Sequence, residues 1–243
     1  MEEERLKVFL HSLDSPNAPY LNKIEKEARR DKVPIIRQDM QSFLQVFLEL
    51  KKPGRILEVG TATGFSALLM ASYTPAQCRI TTIEKYDKRI VEARKNFASC
   101  PGGERITLLE GDAEEILKQL GGTYDFVFMD AAKGQYIHFL PDILRLLPEG
   151  GVLISDNVLQ EGDILESHYA VERRNRTIYK RMRDYLYTLK HHSDLITSVL
   201  PVGDGAAVSV KAAGRGIRTA EAEEDTNPEQ GRQVPASPEY MDR

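Results

Sequence analysis

Two short apolar runs that end in polar residues constrain the fold of this chain more than any other feature. Residues 126–129 (FVFM) are followed by Asp130, and residues 152–155 (VLIS) are followed by Asp156 and Asn157. Each run has the length and apolar content of a strand buried on both faces of a parallel sheet. Ligands of open α/β sheets bind outside the carboxyl ends of the strands, where these three residues are expected. Two carboxylates and a carboxamide are hard oxygen ligands, the kind that magnesium prefers.

Strand-like and helix-like segments alternate along the chain, with Gly- and Pro-rich turns between them. The alternation predicts a doubly wound α/β fold with five parallel strands. The predicted strands cover residues 55–59, 79–83, 106–109, 124–129 and 152–155. A long helix is predicted from about Arg174 to Lys190. The last two strand-like segments, 195–200 and 206–210, are joined by PVGDG, which is too short for a crossover and therefore predicts an antiparallel edge hairpin.

Composition indicates where the folded domain ends and in which cellular compartment the protein is expected. Residues 1–211 are predicted to form one domain, and residues 212–243 a disordered acidic tail, because the tail has seven acids, four arginines and few large apolar residues. No apolar run approaches the ~20 residues of a membrane span, and the start MEEERLK lacks the apolar core of a signal peptide. Cys78 and Cys100 give neither zinc spacing nor a disulfide framework. We therefore expect a cytoplasmic protein without a membrane partner.

A glycine-rich turn follows the first predicted strand, in LEVGTATGFS (residues 57–66). Gly60 and Gly64 allow the backbone to approach a ligand, and the next helix offers free N–H groups. A dinucleotide fingerprint would need glycine at Ala62, which argues against an NAD-dependent oxidoreductase. Glu58 is an unusual acid for the end of a strand, and we expect it to hold either the turn or a cationic ligand.

Three further side chains are candidates for ligand contacts. Glu84 ends the second strand, where a carboxylate accepts the ribose hydroxyls of NAD and S-adenosylmethionine alike. Asp112 could contact an adenine amino group or cap the helix that begins at Ala113, and the two roles are compatible. Lys133 lies three residues after Asp130. A divalent cation nearby would lower its pKa, so that it could act as a base or orient an anionic oxygen.

A basic segment stands out on a nearly neutral domain. The whole chain has a net charge of −4, yet residues 172–190 contain seven Lys or Arg and only two acids. Phosphate contacts by such residues would hold a nucleic acid, and a solvated charged helix is the structural alternative. The candidate RNA-binding residues are Arg173, Arg174, Arg176, Lys180, Arg181 and Arg183.

The motifs together resemble the cation-dependent O-methyltransferases, the family of catechol and caffeoyl-coenzyme A methyltransferases. The resemblance covers about residues 33–210, with LEVGTATGFSA, TTIEK, EGDA, MDAAKGQY, SDNVL and PVGDG in order. It implies a Rossmann-like class I methyltransferase fold, with a seven-stranded, mostly parallel sheet and an antiparallel edge hairpin, and a homodimer. It implies magnesium on Asp130, Asp156 and Asn157, with Asp130 and Lys133 as catalytic residues. The implied S-adenosylmethionine contacts are Ile36, Glu58, Gly60, Ser66, Glu84, Asp112, Ala113 and Asp130.

Within that family, three segments resemble the bacterial enzymes that methylate 5-hydroxyuridine at the tRNA wobble position. They are AAKGQY, NVLQEGD and ERRNRTIYKRMRDYL. This resemblance implies that the anticodon stem-loop of a tRNA is the substrate and that 5-methoxyuridine is the product. A small catechol or caffeoyl-coenzyme A-type substrate is the first alternative. A non-catalytic nucleotide- or RNA-binding module is the alternative of another class, because fold does not imply function. The metal-ligand set beside Lys133 argues against that module.

Overall fold

Seven strands form a single sheet in the computed structural model, which describes residues 2–166 and 171–212. The strands are β1 (Arg55–Val59), β2 (Arg79–Glu84), β3 (Ile106–Glu110), β4 (Phe126–Met129), β5 (Val152–Asp156), β6 (Leu195–Leu200) and β7 (Ala206–Lys211). Their order across the sheet is β3-β2-β1-β4-β5-β7-β6. The strand order reverses between β1 and β4, and this is the point at which open α/β sheets place their ligands.

Eight α-helices accompany these strands in the described residues. They are α1 (Glu2–Leu13), α2 (Pro19–Arg30), α3 (Gln38–Lys51), α4 (Phe65–Ser72), α5 (Asp87–Ser99), α6 (Ala113–Gln119), α7 (Tyr136–Leu146) and α8 (Arg176–His191). The predicted alternation of strands and helices is confirmed. One boundary matters for function, because α8 begins at Arg176 and not near Arg174. Arg173 and Arg174 therefore precede the helix on which the sequence pattern placed them.

The pairing of the strands confirms the predicted topology. Strands β1 to β5 pair in parallel, whereas β7 runs antiparallel to both β5 and β6. The last residue pairs of the parallel ladder are Val59 with Met129 and Met129 with Ser155. Asp130, Asp156 and Asn157 consequently meet at the carboxyl edge of neighbouring strands, as predicted from the two apolar runs.

Apolar layers on both sides of the sheet fix this edge in place. Alternate strand residues point to opposite faces, so that Phe128 and Ile154 enter the core beneath α2 to α4, while Val127 and Leu153 enter the core beneath α7 and α8. All four side chains are fully buried. Burial on both faces is the reason that these strands read as continuous apolar runs rather than alternating ones.

The remaining predictions about chain organisation are tested only in part. Residues 213–243, most of the predicted acidic tail, lie outside the described residues, and the tail stays a prediction. Among the helices that the structure does describe, none has both the length and the apolar character needed to cross a membrane.

Candidate active site

A cavity of about 580 Å³ opens at the carboxyl edge of the sheet, where the predicted ligand residues meet. Its volume is within the range of small-molecule and cofactor sites. Most of the residues predicted from the sequence line it: Ile36, Gly60, Ser66, Glu84, Asp112, Ala113, Asp130, Lys133, Asp156 and Asn157. Glu58 and the six basic residues between Arg173 and Arg183 do not line this cavity.

The turn after β1 brings two strand ends together beneath the cavity. Gly60 has a φ of 92°, and a Cβ atom at this position would lie 2.3 Å from the carbonyl oxygen of Asp130. Any side chain here would therefore push β1 away from β4. Ala62 also adopts a left-handed backbone, with a φ of 46°, although it has a Cβ. That conformation costs about 1–2 kcal/mol, and the Ala62 N–H offsets part of this cost by donating to Glu84 Oε2 at 2.9 Å.

Glu84 is a buried carboxylate that the backbone holds in place. Its Oε1 accepts the N–H groups of Lys85 and Tyr86 at 3.0 and 2.9 Å, and its Oε2 accepts that of Ala62. A carboxylate has about four lone-pair sites, so roughly one remains for a ligand. The arrangement suits a rigid acceptor for a ribose hydroxyl, and the contact itself stays a prediction.

Asp112 has the capping role that the sequence offered as one of two. Its Oδ1 accepts the N–H of Glu114 at 2.9 Å and so caps α6. This hydrogen bond lowers the pKa of Asp112, and Lys85 at 3.3 Å from Oδ2 acts in the same direction. Asp112 and Ala113 also line the cavity, so the cap leaves the predicted ligand contact available.

Glu58 supports the turn and not the cavity, which corrects its predicted role as a direct cofactor contact. It is fully buried, and its Oε2 accepts the hydroxyl of Thr82, its cross-strand neighbour. Its Oε1 has no hydrogen-bond partner among the described residues. Burial raises the pKa of Glu58 to about 7, although the hydroxyls of Ser66, Thr61 and Thr82 oppose the rise. Of the two roles that the sequence left open, the structure supports holding the turn.

The raised pKa of Glu58 predicts a pH-dependent stability. A carboxyl whose pKa is higher in the folded state than in the unfolded state contributes stability at low pH, and this is lost as the pH rises from about 4.5 to about 7. We expect Glu58→Gln to remove this loss and to stabilise the protein above pH 7 by on the order of 3 kcal/mol. Urea unfolding of both proteins at pH 5 and pH 8 measures the effect. Equal differences between the two proteins at both pH values would contradict the prediction.

A lysine ammonium group lies inside the predicted metal site. Lys133 Nζ is 2.9 Å from Asp130 Oδ1, 2.7 Å from Asn157 Oδ1 and 3.1 Å from the Tyr136 hydroxyl. A cationic group thus already sits among two of the three predicted metal ligands. The donor set therefore fits a hard cation.

The third predicted metal ligand, Asp156, is affected electrostatically by the carboxylate of Asp130. Asp156 is buried, and its Oδ1 accepts the N–H of Asn157 at 2.7 Å. Burial, and then the neighbouring Asp130 carboxylate, raise the pKa of Asp156 to about 7. Asn157 has a left-handed φ of 56°, a strained conformation of the kind that functional sites retain. Two carboxylates that repel each other in this way would be stabilised by a divalent cation.

The pKa of Lys133 depends on what surrounds its ammonium group. Burial alone would lower its pKa, but Tyr136 and Asp130 outweigh burial and raise it. The predicted lowering therefore requires a divalent cation beside it. Within residues 2–166 and 171–212, no group of three or more His, Cys, Asp or Glu side chains could hold a metal ion; the predicted ligand set has two carboxylates and one amide.

The basic segment lies next to the loop that bears Lys133. Arg181 Nη1 donates to the carbonyl oxygen of Gly134 at 3.1 Å, and Ile178 packs beside the same glycine. Most of the predicted RNA-binding arginines have partners within the protein: Arg174 pairs with Glu172, Arg176 with the Val171 carbonyl, Arg181 with the Gly134 carbonyl and Arg183 with the Tyr179 hydroxyl. Arg173 and Lys180 are exposed, with no partner recorded among the described residues.

Several residues that line the cavity were not predicted. Tyr86 and Arg89 lie just after Glu84, and their position at the same strand end was a usable signal. Arg37 follows Ile36, and Phe139 belongs to α7. No motif distinguishes Phe139 from the core residues beside it, because only the packing of α7 against the sheet brings it to the cavity.

Comparisons with known proteins identify the family. A family model described as O-methyltransferase matches residues 11–212. The chain is 33% identical over 130 residues to catechol O-methyltransferase from Niastella koreensis, a match that spans 52% of this chain and only 59% of that protein. It is 29% identical over 177 residues to caffeoyl-CoA O-methyltransferase from Populus kitakamiensis, covering 70% and 75% of the two chains. A solved structure, an SAH-bound methyltransferase from Podospora anserina, matches with a TM-score of 0.79 at 25% identity, covering 87% of this chain and 96% of that one. The chain therefore belongs to the O-methyltransferase family that its motifs predicted.

Proposed function

We propose that the protein is an S-adenosylmethionine- and magnesium-dependent O-methyltransferase that converts 5-hydroxyuridine at the tRNA wobble position to 5-methoxyuridine. The observation that carries the catalytic part is the position of Lys133 Nζ between Asp130 and Asn157 at the edge of the cavity. A binding module would not need an ammonium group and three metal-type ligands at one place. The family match and the SAH-bound structural relative support the cofactor.

The cavity offers two chemically different ends for the reaction. Glu84 ends β2 and Asp112 lies after β3, whereas Asp130 lies after β4 and Asp156 ends β5. Strand β1 lies between these pairs in the sheet. S-adenosylmethionine supplies a methyl group that is already activated as a sulfonium. Glu84 and Asp112 would hold its nucleoside part, and the residues at the ends of β4 and β5 would hold the methyl acceptor. Transfer then depends mainly on in-line positioning.

At the other end, the protein would bind two neighbouring oxygens of the substrate. Asp130, Asp156 and Asn157 would hold a magnesium ion, whose charge would favour the oxyanion of an acidic hydroxyl. Lys133 lies within hydrogen-bond distance of two of these ligands and would orient the same oxyanion or receive its proton. In 5-hydroxyuridine, the 5-hydroxyl and the 4-carbonyl oxygen form a suitable pair, as the two hydroxyls do in a catechol.

The basic segment favours tRNA over a small substrate. Arg173 is exposed and precedes α8, and Lys180 is exposed in the second turn of this helix. Arg181 of the same helix contacts the loop that bears Lys133. Phosphates bound there would be close to the reaction site without entering the cavity. The second candidate is a catechol or caffeoyl-CoA-type small molecule, which the names of the similar proteins favour.

Methyl transfer by the purified full chain to three acceptors tests both candidates. The acceptors are tRNA carrying 5-hydroxyuridine, catechol and caffeoyl-CoA, each with S-adenosylmethionine and Mg²⁺. We expect 5-methoxyuridine by nucleoside mass spectrometry, loss of activity on chelation and its return with Mg²⁺. Catechol methylation without tRNA methylation would select the second candidate. Activity that survives exhaustive chelation would contradict the metal role, and calorimetric binding of RNA without S-adenosylmethionine binding would favour a non-catalytic module.

We also propose that the protein is a homodimer. Helix α1 contacts α3 through polar groups, including the Gln38 amide, which donates to the carbonyl oxygen of His11 at 3.3 Å, and much of the apolar surface of α1 remains exposed. The exposed apolar residues of the two helices are Leu6, Val8, Phe9, Leu10, Leu13, Val46 and Leu50. Exposed apolar side chains on two helices that contact each other are a candidate interface between protein chains. Light scattering that gives a monomer mass at micromolar concentration would contradict this proposal.

A further inference from the structure

Tyr136 is a buried residue to which neither its motif nor the proposed chemistry assigns a role. It is the first residue of α7 and is fully buried. Its hydroxyl is 3.1 Å from the carbonyl oxygen of Met129 and 3.1 Å from that of Asp156. These carbonyls directly precede Asp130 and Asn157 in the chain.

The contacts of this hydroxyl extend the sheet beyond its last residue pair. Backbone pairing between β4 and β5 ends with Met129 and Ser155. Past this point the segments that follow β4 and β5 are linked through the Tyr136 hydroxyl. Its single proton is shared by the two carbonyl oxygens. The separation of Asp130 and Asn157 is therefore set in part by one side chain.

The hydroxyl oxygen of Tyr136 is also the third hydrogen-bond acceptor of Lys133. An ammonium group has three protons, and Lys133 Nζ directs them to Asp130 Oδ1, Asn157 Oδ1 and the Tyr136 hydroxyl oxygen. The tyrosine hydroxyl can accept this bond because its proton is engaged by the carbonyls. It thus links Lys133 to both strand ends.

The tyrosine ring is fixed independently of its hydroxyl. It contacts the ring of Tyr185 edge to face, with the centroids 5.5 Å apart. Phenylalanine at position 136 would retain this packing and lose only the oxygen atom. The loss of a buried hydrogen-bonding group costs about 1–3 kcal/mol, which leaves the fold intact in a domain of ordinary stability.

We propose that Tyr136 is a positioning residue that sets the distance between the ends of β4 and β5 and holds Lys133 beside them. The part of this inference that concerns metal binding rests on the proposed function. The part that concerns Lys133 does not, because it is read from protein contacts alone.

Two measurements on Tyr136→Phe test the inference without an activity assay. The first is the rate at which an acetylating reagent modifies Lys133 in chelated protein, followed by peptide mass spectrometry. We expect a several-fold increase, because one of the three acceptors of Lys133 is lost. The second is Mn²⁺ binding by calorimetry, for which we expect a dissociation constant about 10–100-fold higher, the usual effect of losing a group that orients metal ligands. Binding of S-adenosylmethionine should not change.

Tyr185→Phe is the matched control. Tyr185 is also fully buried, and its hydroxyl bonds to Ser155 Oγ at 2.6 Å, with no recorded contact to Lys133. The Tyr185→Phe variant should lower thermal stability about as much as Tyr136→Phe does. It should leave the labelling of Lys133 and the binding of Mn²⁺ unchanged. Equal effects of the two variants on both measurements, or no effect of Tyr136→Phe on either, would overturn the inference.

Failure of the proposed metal site is distinguishable from failure of this inference. If the wild-type protein does not bind Mn²⁺, the metal site is refuted, and the labelling of Lys133 still decides the role of Tyr136. If Tyr136→Phe does not fold, Lys133→Met provides a second test, because it removes the ammonium group and leaves the Tyr136 hydroxyl in place. Tyr136 would still link Met129 and Asp156 in that variant, and no ammonium group would compete with the ion. Mn²⁺ should therefore bind at least as tightly as in the wild type, and a loss of affinity would overturn the inference.

Discussion

Replacing Asp156 by alanine is expected to reduce methyl transfer about 1000-fold, since a metal ion contributes several kcal/mol to stabilising developing charge. Asp156 is one of only two carboxylates in the predicted ligand set, and it is almost completely buried. The affinity for S-adenosylmethionine should change little, because Glu84 and Asp112 lie at the β2 and β3 side of the cavity. Initial rates at saturating Mg²⁺, together with calorimetry of cofactor binding, separate the two effects.

The variant is expected to remain folded. Burial and the nearby Asp130 raise the pKa of Asp156 to about 7, so this carboxyl contributes stability only at low pH, and the contribution disappears as the pH rises from about 3.8 to about 7. Removing it should therefore not lower the melting temperature of chelated protein above pH 7. Asp184→Ala, which removes an exposed carboxylate of α8, serves as the control and should retain full activity. A rate within a few-fold of wild type for Asp156→Ala would refute the metal role of this residue.

Reversing the charges of Arg173 and Lys180 is expected to lower tRNA methylation about 100-fold at physiological salt, as two lost phosphate contacts of ordinary strength imply. These two residues are the best candidates because Arg174, Arg176, Arg181 and Arg183 have partners within the protein. The measurement is tRNA turnover by Arg173→Glu/Lys180→Glu over a range of salt concentrations.

The dependence on salt distinguishes phosphate contacts from a general loss of structure. Each phosphate contact that is lost should reduce the salt slope of binding by about 1. Lys52→Glu is a suitable control, because Lys52 is exposed and precedes β1 at the opposite edge of the sheet. S-adenosylmethionine affinity should stay the same in both variants. An unchanged slope and turnover for the double variant would identify the segment as a solvated face, the alternative that its charge pattern left open.

The features that could be predicted from the sequence are those with local signals or strand periodicity. The positions of Asp130 and Asp156 follow from the lengths of two apolar runs, because parallel strands of similar length end at one edge. The cap formed by Asp112 follows from a residue preference at helix starts. Both kinds of argument need only a few neighbouring residues.

The predictions that were wrong or incomplete depend on contacts between distant residues. Glu58 was placed against the cofactor, but its side chain is buried beside Thr82 of the neighbouring strand. Arg181 was predicted to bind phosphates, which stays a prediction, and nothing in the sequence indicates that its guanidinium binds a carbonyl 47 residues earlier in the chain. Composition and spacing describe which groups are present, and they do not show which tertiary partner each group will find.

If the proposed magnesium ion binds, the ammonium group between Asp130 and Asn157 makes its loading an exchange and not a simple addition. A tethered cation competes with free ions at a high effective concentration, so sodium or potassium, with the same single charge and no tether, has little advantage over it. A divalent ion brings twice the charge and attracts both carboxylates more strongly. Lys133 would thereby act as a selectivity device against alkali ions, and the displaced ammonium group would lie at the place where a hydroxyl loses its proton, where its charge would stabilise the oxyanion.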